Sequence, residues 1–116
     1  HKMSNHENSL YSKAVLFDMY TITGTEINVA NGQHQELTLS SSNIIVTVPA
    51  PPDSKTTAFH LFINQGSTVR TITWPNTSTV KWANGEAPNL TTASGIYGLY
   101  FTWKGTYWLA GWARYY

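Results

Sequence analysis

The chain has no cysteine among its 116 residues. Disulfides, thiol nucleophiles and thiolate metal sites are therefore excluded. Charge is scarce too: Asp, Glu, Lys and Arg together reach 11 %, and the net charge is +1 with His neutral. Ordinary globular proteins carry about 25 % charged residues. The Lys and Arg residues number seven and are spread from Lys2 to Arg114. Nucleic acid requires a clustered basic face, so it is not an expected partner. No apolar run approaches the ~20 residues of a membrane-spanning helix, and none of the secretory kind, basic and then apolar, stands at the start. Membrane insertion is not expected.

Groups that could do chemistry are few. There are six acids and four His. Glu7 and Asp53 fall in loose or loop segments. Asp18 lies in an apolar run with no second acid close in sequence, so a paired-carboxylate site has no visible basis. His60 lies between Phe59 and Leu61 and by alternation faces away from them. His34 stands 26 positions earlier with no ligand-like helper pattern, and His1 and His6 belong to the leading tail. Metal binding needs convergent ligands, and no metal site is expected. No Gly-x-Ser-x-Gly elbow, Gly-rich phosphate loop or spaced-Asp calcium loop is present. The expectation is a protein without a cofactor and without catalysis.

Ser, Thr and Asn fill the space left by charge, at about 30 % of the chain, and aromatics make up 14 %. Hydroxyls, amides and β-branched residues suit pleated strands and compete with helices for backbone hydrogen bonds. Polar disordered segments are poor in aromatics. Five Trp, seven Tyr and four Phe therefore indicate a folded β domain, and the length suits one domain. Low charge leaves sheet edges poorly protected, which points to an assembly that hides them.

Residues 1–9 are polar and aperiodic and read as a disordered lead-in, with His1-Lys2 ahead of Met3 as a tag remnant. Met3 would then be the native start of a complete small protein. A single domain is expected over 10–116. The apolar run 14–22 is ambiguous between helix and strand. Ile27 and Val29 alternate with polar neighbours before the Asn31-Gly32 turn signal. Strand patterns follow at 36–39 and 44–48. Pro49 to Asp53 is a hard break, because proline donates no hydrogen bond to a ladder. Strands resume at 57–64, 69–74 and 80–82, with loops at 84–88 and 91–95. The clearest local pattern is a hairpin of 96–103 and 106–113 about Lys104-Gly105. This punctuation argues for an all-β fold, an antiparallel β-sandwich of Greek-key or jelly-roll type.

In the hairpin, Tyr97, Leu99, Phe101 and Trp103 share one face, and Ile96, Gly98, Tyr100 and Thr102 the other. Across the turn, Thr106, Trp108, Ala110, Trp112 and Arg114 oppose Tyr107, Leu109, Gly111, Ala113 and Tyr115. Both faces are partly apolar. One explanation is a buried hairpin whose second face meets a loop or a neighbouring subunit. The other is an aromatic platform for sugar rings, with Asn, Ser and Thr supplying hydrogen bonds.

Several motifs stand in sequence here: Ile72-Thr73-Trp74-Pro75, Val80-Lys81-Trp82, Gly85-Glu86-Ala87-Pro88-Asn89-Leu90-Thr91, Leu99-Tyr100-Phe101, Gly105-Thr106-Tyr107-Trp108 and Gly111. In order and spacing the stretch from Thr71 to Gly111 resembles a C-terminal module of bacteriophage tail and tail-fibre proteins. The resemblance covers about a third of the chain, and more weakly 57–64. It implies a non-catalytic virion structural domain: tail fibre, baseplate or capsid decoration. Such modules are usually oligomeric, and a homotrimer with other virion proteins as neighbours is expected. Some attach to host-surface glycans. The same resemblance implies structural roles for Trp82 and Pro88 and core roles for Leu90, Leu99, Phe101 and Trp108. Trp103, Tyr107, Trp112 and Tyr115 remain as the candidates for contact with a partner or glycan. A carbohydrate-binding module or lectin-like domain is the alternative.

Overall fold

The computed structural model describes residues 15–116; the expectations for residues 1–9 lie outside them. The chain is sheet-rich, with no α-helix among the described residues. Eight strands are formed: β1 (Tyr20–Thr21), β2 (His34–Leu39), β3 (Ile44–Ile45), β4 (Ala58–Gln65), β5 (Ile72–Thr73), β6 (Val80–Trp82), β7 (Ile96–Trp103) and β8 (Trp108–Tyr115). Six make one sheet in the order β1-β2-β4-β7-β8-β6, and β3 pairs with β5 apart from it.

The all-β expectation holds. The antiparallel expectation holds only at the centre of the large sheet, for β4 with β7 and β7 with β8. The pairs β1/β2, β2/β4, β3/β5 and β6/β8 are parallel. The physical reason is the path of the chain. After β1 the chain passes through 25–27, after β2 through β3, and after β4 through β5, before each return to the large sheet. These three excursions bond side by side. Ile27 N donates to Thr47 O at 2.8 Å, Ile44 N to Thr71 O at 3.0 Å and Val46 N to Thr73 O at 3.1 Å. Each return therefore runs in the same direction as the previous strand, where a tight hairpin would have reversed it. Asn31-Gly32 does form a turn, after a short 3₁₀ segment at Val29–Asn31, but within such an excursion. The described part of the ambiguous run, 15–22, supplies β1 and the core residue Ile22.

One buried cluster joins the layers. From the large sheet it takes Leu37, Leu39, Phe59, Leu61, Ile63, Tyr97, Leu99, Phe101, Trp103, Trp108 and Ala110, and from the excursions Ile27, Val46 and Val48. Phe59 stacks on Phe101 with ring centroids 4.8 Å apart, and Trp108 meets Phe59 edge-on at 5.3 Å. Aromatic pairs of this kind contribute about 0.5–1.5 kcal/mol beyond the area they bury. The Trp108 indole N–H donates to Pro49 O at 3.2 Å, which ties the proline break to the hairpin. Gln65 is buried and fully bonded. Its Nε2 donates to Arg70 O at 2.8 Å and Leu90 O at 2.6 Å, and its Oε1 accepts from Gly66 N and Arg70 N, each at 3.1 Å. One amide thus fixes the turn after β4 and the loop before β7. Leu90, Leu99, Phe101 and Trp108 are core, and Trp82 packs on the cluster from its rim.

Candidate functional site

The inner face of the large sheet is occupied by the core, and among the described residues no second layer covers its outer face. Strict alternation decides which residues stand there. On β2 they are His34, Glu36 and Thr38; on β4, His60, Phe62 and Asn64; on β7, Ile96, Gly98, Tyr100 and Thr102; on β8, Leu109, Gly111, Ala113 and Tyr115. Their in-between neighbours are buried, except that on β8 Trp112 and Arg114 are half-buried and Gly111 of the outer set is itself buried. Of this outer set Tyr100 is 50 %, Tyr115 56 %, Ile96 47 % and Leu109 38 % exposed. These are large apolar side chains held in solvent by the sheet itself.

The register brings side chains together across strands. His34 lies opposite His60, and His60 opposite Tyr100. The two imidazoles meet edge-on with centroids 5.5 Å apart, and Phe17 stacks on His34 at 4.9 Å. A row Phe17, His34, His60, Tyr100 therefore crosses the face. Tyr100 then lies over Gly111, its cross-strand partner, and Tyr115 lies over Gly98. A side chain at either glycine would collide with the ring above it, so these glycines let the tyrosines lie flat. Among the described residues, two full charges stand on the face. The Glu36 carboxylate accepts from Thr21 Oγ1 at 3.4 Å and Asn64 Nδ2 at 3.3 Å. The Lys81 ammonium, on β6, donates to Thr77 O at 3.0 Å and stands 4.8 Å from the centre of the Tyr107 ring. Three strands separate the two. Among the described residues no three of His, Cys, Asp or Glu gather in one place.

Two hollows flank the sheet, one on this face and one on the inward side of β8. The first, about 400 Å³, is mostly apolar and lies between Tyr100, Thr102 and Leu109 and the β6 residues Lys81 and Trp82. The second, about 330 Å³, is formed by Asn89, Thr91, Trp112, Arg114 and Tyr116 at the far end of β8. Here the Trp112 indole N–H donates to Glu86 O at 3.0 Å and Arg114 Nη1 donates to Thr92 Oγ1 at 2.8 Å. The Arg114 guanidinium lies 4.4 Å from the centre of the Tyr116 ring.

The four aromatic candidates from the sequence do not form one surface. Trp103 is 6 % exposed and packs on Trp108 at 5.2 Å. It belongs to the core and leaves the contact set, because its face of β7 is the inward one. Tyr107 is half-buried in the hairpin turn beneath Lys81. Trp112 is half-buried on the inward side of β8 and lines the second hollow. Tyr115 alone stands on the outer face. Sequence reasoning missed Tyr100, Ile96, Leu109, Phe62 and the His34–His60 pair as members of one surface. Alternation had already set Tyr100 and Ile96 opposite the core face. The His pair depends on the parallel register of β2 and β4, for which the sequence carries no local signal.

Comparison with protein-family models, with curated proteins and with solved structures finds no match.

Proposed function

We propose that this chain is a non-catalytic structural protein of a bacteriophage particle, a tail-fibre, baseplate or capsid-decoration component. In this reading it assembles through an aromatic surface and contributes to attachment at the host surface. The observation that carries the proposal is the outer face of the six-stranded sheet, rich in exposed aromatic and apolar side chains and, among the described residues, holding only Glu36 and Lys81 as full charges. Exposed apolar patches beyond a few hundred Å² mark interaction sites. The low charge of the whole chain suits burial as the mechanism, since each large aromatic removes about 150–250 Å² from water. The motif order from Thr71 to Gly111 is what suggests a phage particle. Greek-key and jelly-roll sandwiches are built from antiparallel pairs, so the sandwich part of the proposal extends only to the two-layer packing.

Light scattering on the purified chain tests this reading. A closed oligomer at micromolar concentration is the expected result, and a monomer at every concentration reached refutes it. Tail or capsid genes beside the coding sequence would support the particle assignment.

A second reading, a glycan-binding domain, is favoured by the hollow around Trp112. An indole, a phenol, a guanidinium, an amide and a hydroxyl converge there, the groups that stack on and hydrogen-bond a sugar ring. A glycan array probed with wild-type protein and Trp112→Ala checks it. Signal lost in the variant supports the reading, and an array blank with wild type removes it.

A further inference from the structure

We infer that the outer face of the six-stranded sheet is covered by the same face of a second copy of this chain, the two sheets packing about a two-fold axis. The inference rests on the assembly reading above and names its surface and partner.

Area is the first argument. Strands in a sheet lie about 4.8 Å apart and advance about 3.3 Å per residue. The thirty residues of the four long strands β2, β4, β7 and β8 therefore cover about 480 Å² per copy, roughly 950 Å² for a pair, at the small end of specific interfaces. Composition is the second. Away from Glu36 and Lys81, the outward residues are aromatic, aliphatic, small or hydroxyl-bearing, with His34, His60 and Asn64 as the remaining polar groups. The centre of a stable interface is poor in charge and rich in Tyr and Phe. Side chains with few rotatable bonds also lose little entropy when held. Neither charge opposes burial of the centre: Glu36 sits on the second strand and Lys81 on the last.

Shape is the third argument. Reversing the strand order about an axis along the strands lays β4 of one copy over β7 of the other. In the observed register this sets Tyr100 against the partner copy's His60, and Phe62 against its Gly98. Bulky side chains thus face the aromatic row or a tyrosine-covered glycine, and two such faces can approach to the usual sheet-to-sheet distance of about 10 Å. An isologous face of this kind closes at two copies, in place of the expected trimer.

The absence of cysteine makes the test clean. His60→Cys and Thr102→Cys, each a single exposed thiol on the outer face, are treated separately with a short bis-maleimide. Ile45→Cys, 72 % exposed on the second layer, serves as the control. Sedimentation equilibrium of the wild type is run alongside. The expected result is a dimer, with covalent pairs forming at 60 or 102 and not at 45. An oligomer that links at neither outer-face position, or links mainly at 45, overturns this inference and leaves the assembly reading standing. A monomer throughout overturns both. Leu109→Lys, an exposed change with the core untouched, is expected to weaken the dimer at least tenfold, and unchanged dissociation counts against the face.

Discussion

Replacing Gln65 by Leu removes four hydrogen bonds at one point. Two are donated by Nε2, to the carbonyls of Arg70 and Leu90, and two are accepted by Oε1, from the amides of Gly66 and Arg70. A typical intramolecular hydrogen bond contributes about 1 kcal/mol net, and a buried group left unpaired costs about 1–3 kcal/mol. The four bonds together contribute about 4 kcal/mol on that scale, and the extra apolar burial of Leu returns about 1 kcal/mol. The net destabilisation is about 3 kcal/mol, a large part of the 5–15 kcal/mol that holds a domain folded. With a urea slope of about 1–3 kcal/mol/M, the unfolding midpoint falls by roughly 1–3 M. Gln35→Leu is the matched control. Gln35 is also buried, but among the described residues only its Nε2 is bonded, to Asn28 O and Gly32 O at 2.8 Å each, while its Oε1 finds no partner there. Removing an unsatisfied oxygen offsets part of the loss, so this variant costs about 1 kcal/mol or less. Urea titrations followed by Trp fluorescence compare the two. Equal midpoint shifts, or a Gln65→Leu shift under about 0.3 M, would refute the reasoning that the count of satisfied bonds sets the cost.

Two glycine substitutions separate stability from surface function. A Cβ at Gly66 would stand 2.5 Å from the backbone carbonyl oxygen of Leu39. Gly66→Ala is expected to destabilise by about 1–3 kcal/mol, and an unchanged thermal midpoint contradicts this. A Cβ at Gly111 meets instead the ring of Tyr100, a side chain free to swing into solvent. Gly111→Ala should change stability by less than about 1 kcal/mol while raising the dissociation constant of the oligomer. Sedimentation of the folded variant reads this, and undisturbed association argues against Tyr100 at the contact.

The long central strands were legible because their alternation is unbroken. Ile96–Trp103 and Val80–Trp82 form where the pattern sets them, and Phe59, Leu61 and Ile63 point inward as their spacing demands. The hairpin partner starts at Trp108, two residues later than the pattern suggested, because Lys104–Tyr107 closes the turn through Lys104 N to Tyr107 O at 2.9 Å. Strand direction was not legible. A short strand such as Ile44–Ile45 carries no local mark of which neighbour it will pair with, and the choice is made by where the chain is carried between layers. The candidate surface was half legible. Its residues could be placed on one side of each strand, but Trp103 was kept as a contact candidate although it shares a face with the core residues Leu99 and Phe101.

The parallel windings leave β4 with β2 on one side and nothing on the other until β7 arrives. Residues 96–103 follow β4 by some thirty positions, which at roughly 5–20 residues per second is a wait of a few seconds during synthesis. Through that interval the nascent polypeptide presents an apolar ladder with unanswered amides and carbonyls, the kind of edge that recruits strangers. Productive maturation therefore waits until Ile96–Trp103 and Trp108–Tyr115 have both been made and the hairpin slots in. Premature stop codons before Ile96 should yield inclusion bodies in place of a smaller soluble fragment.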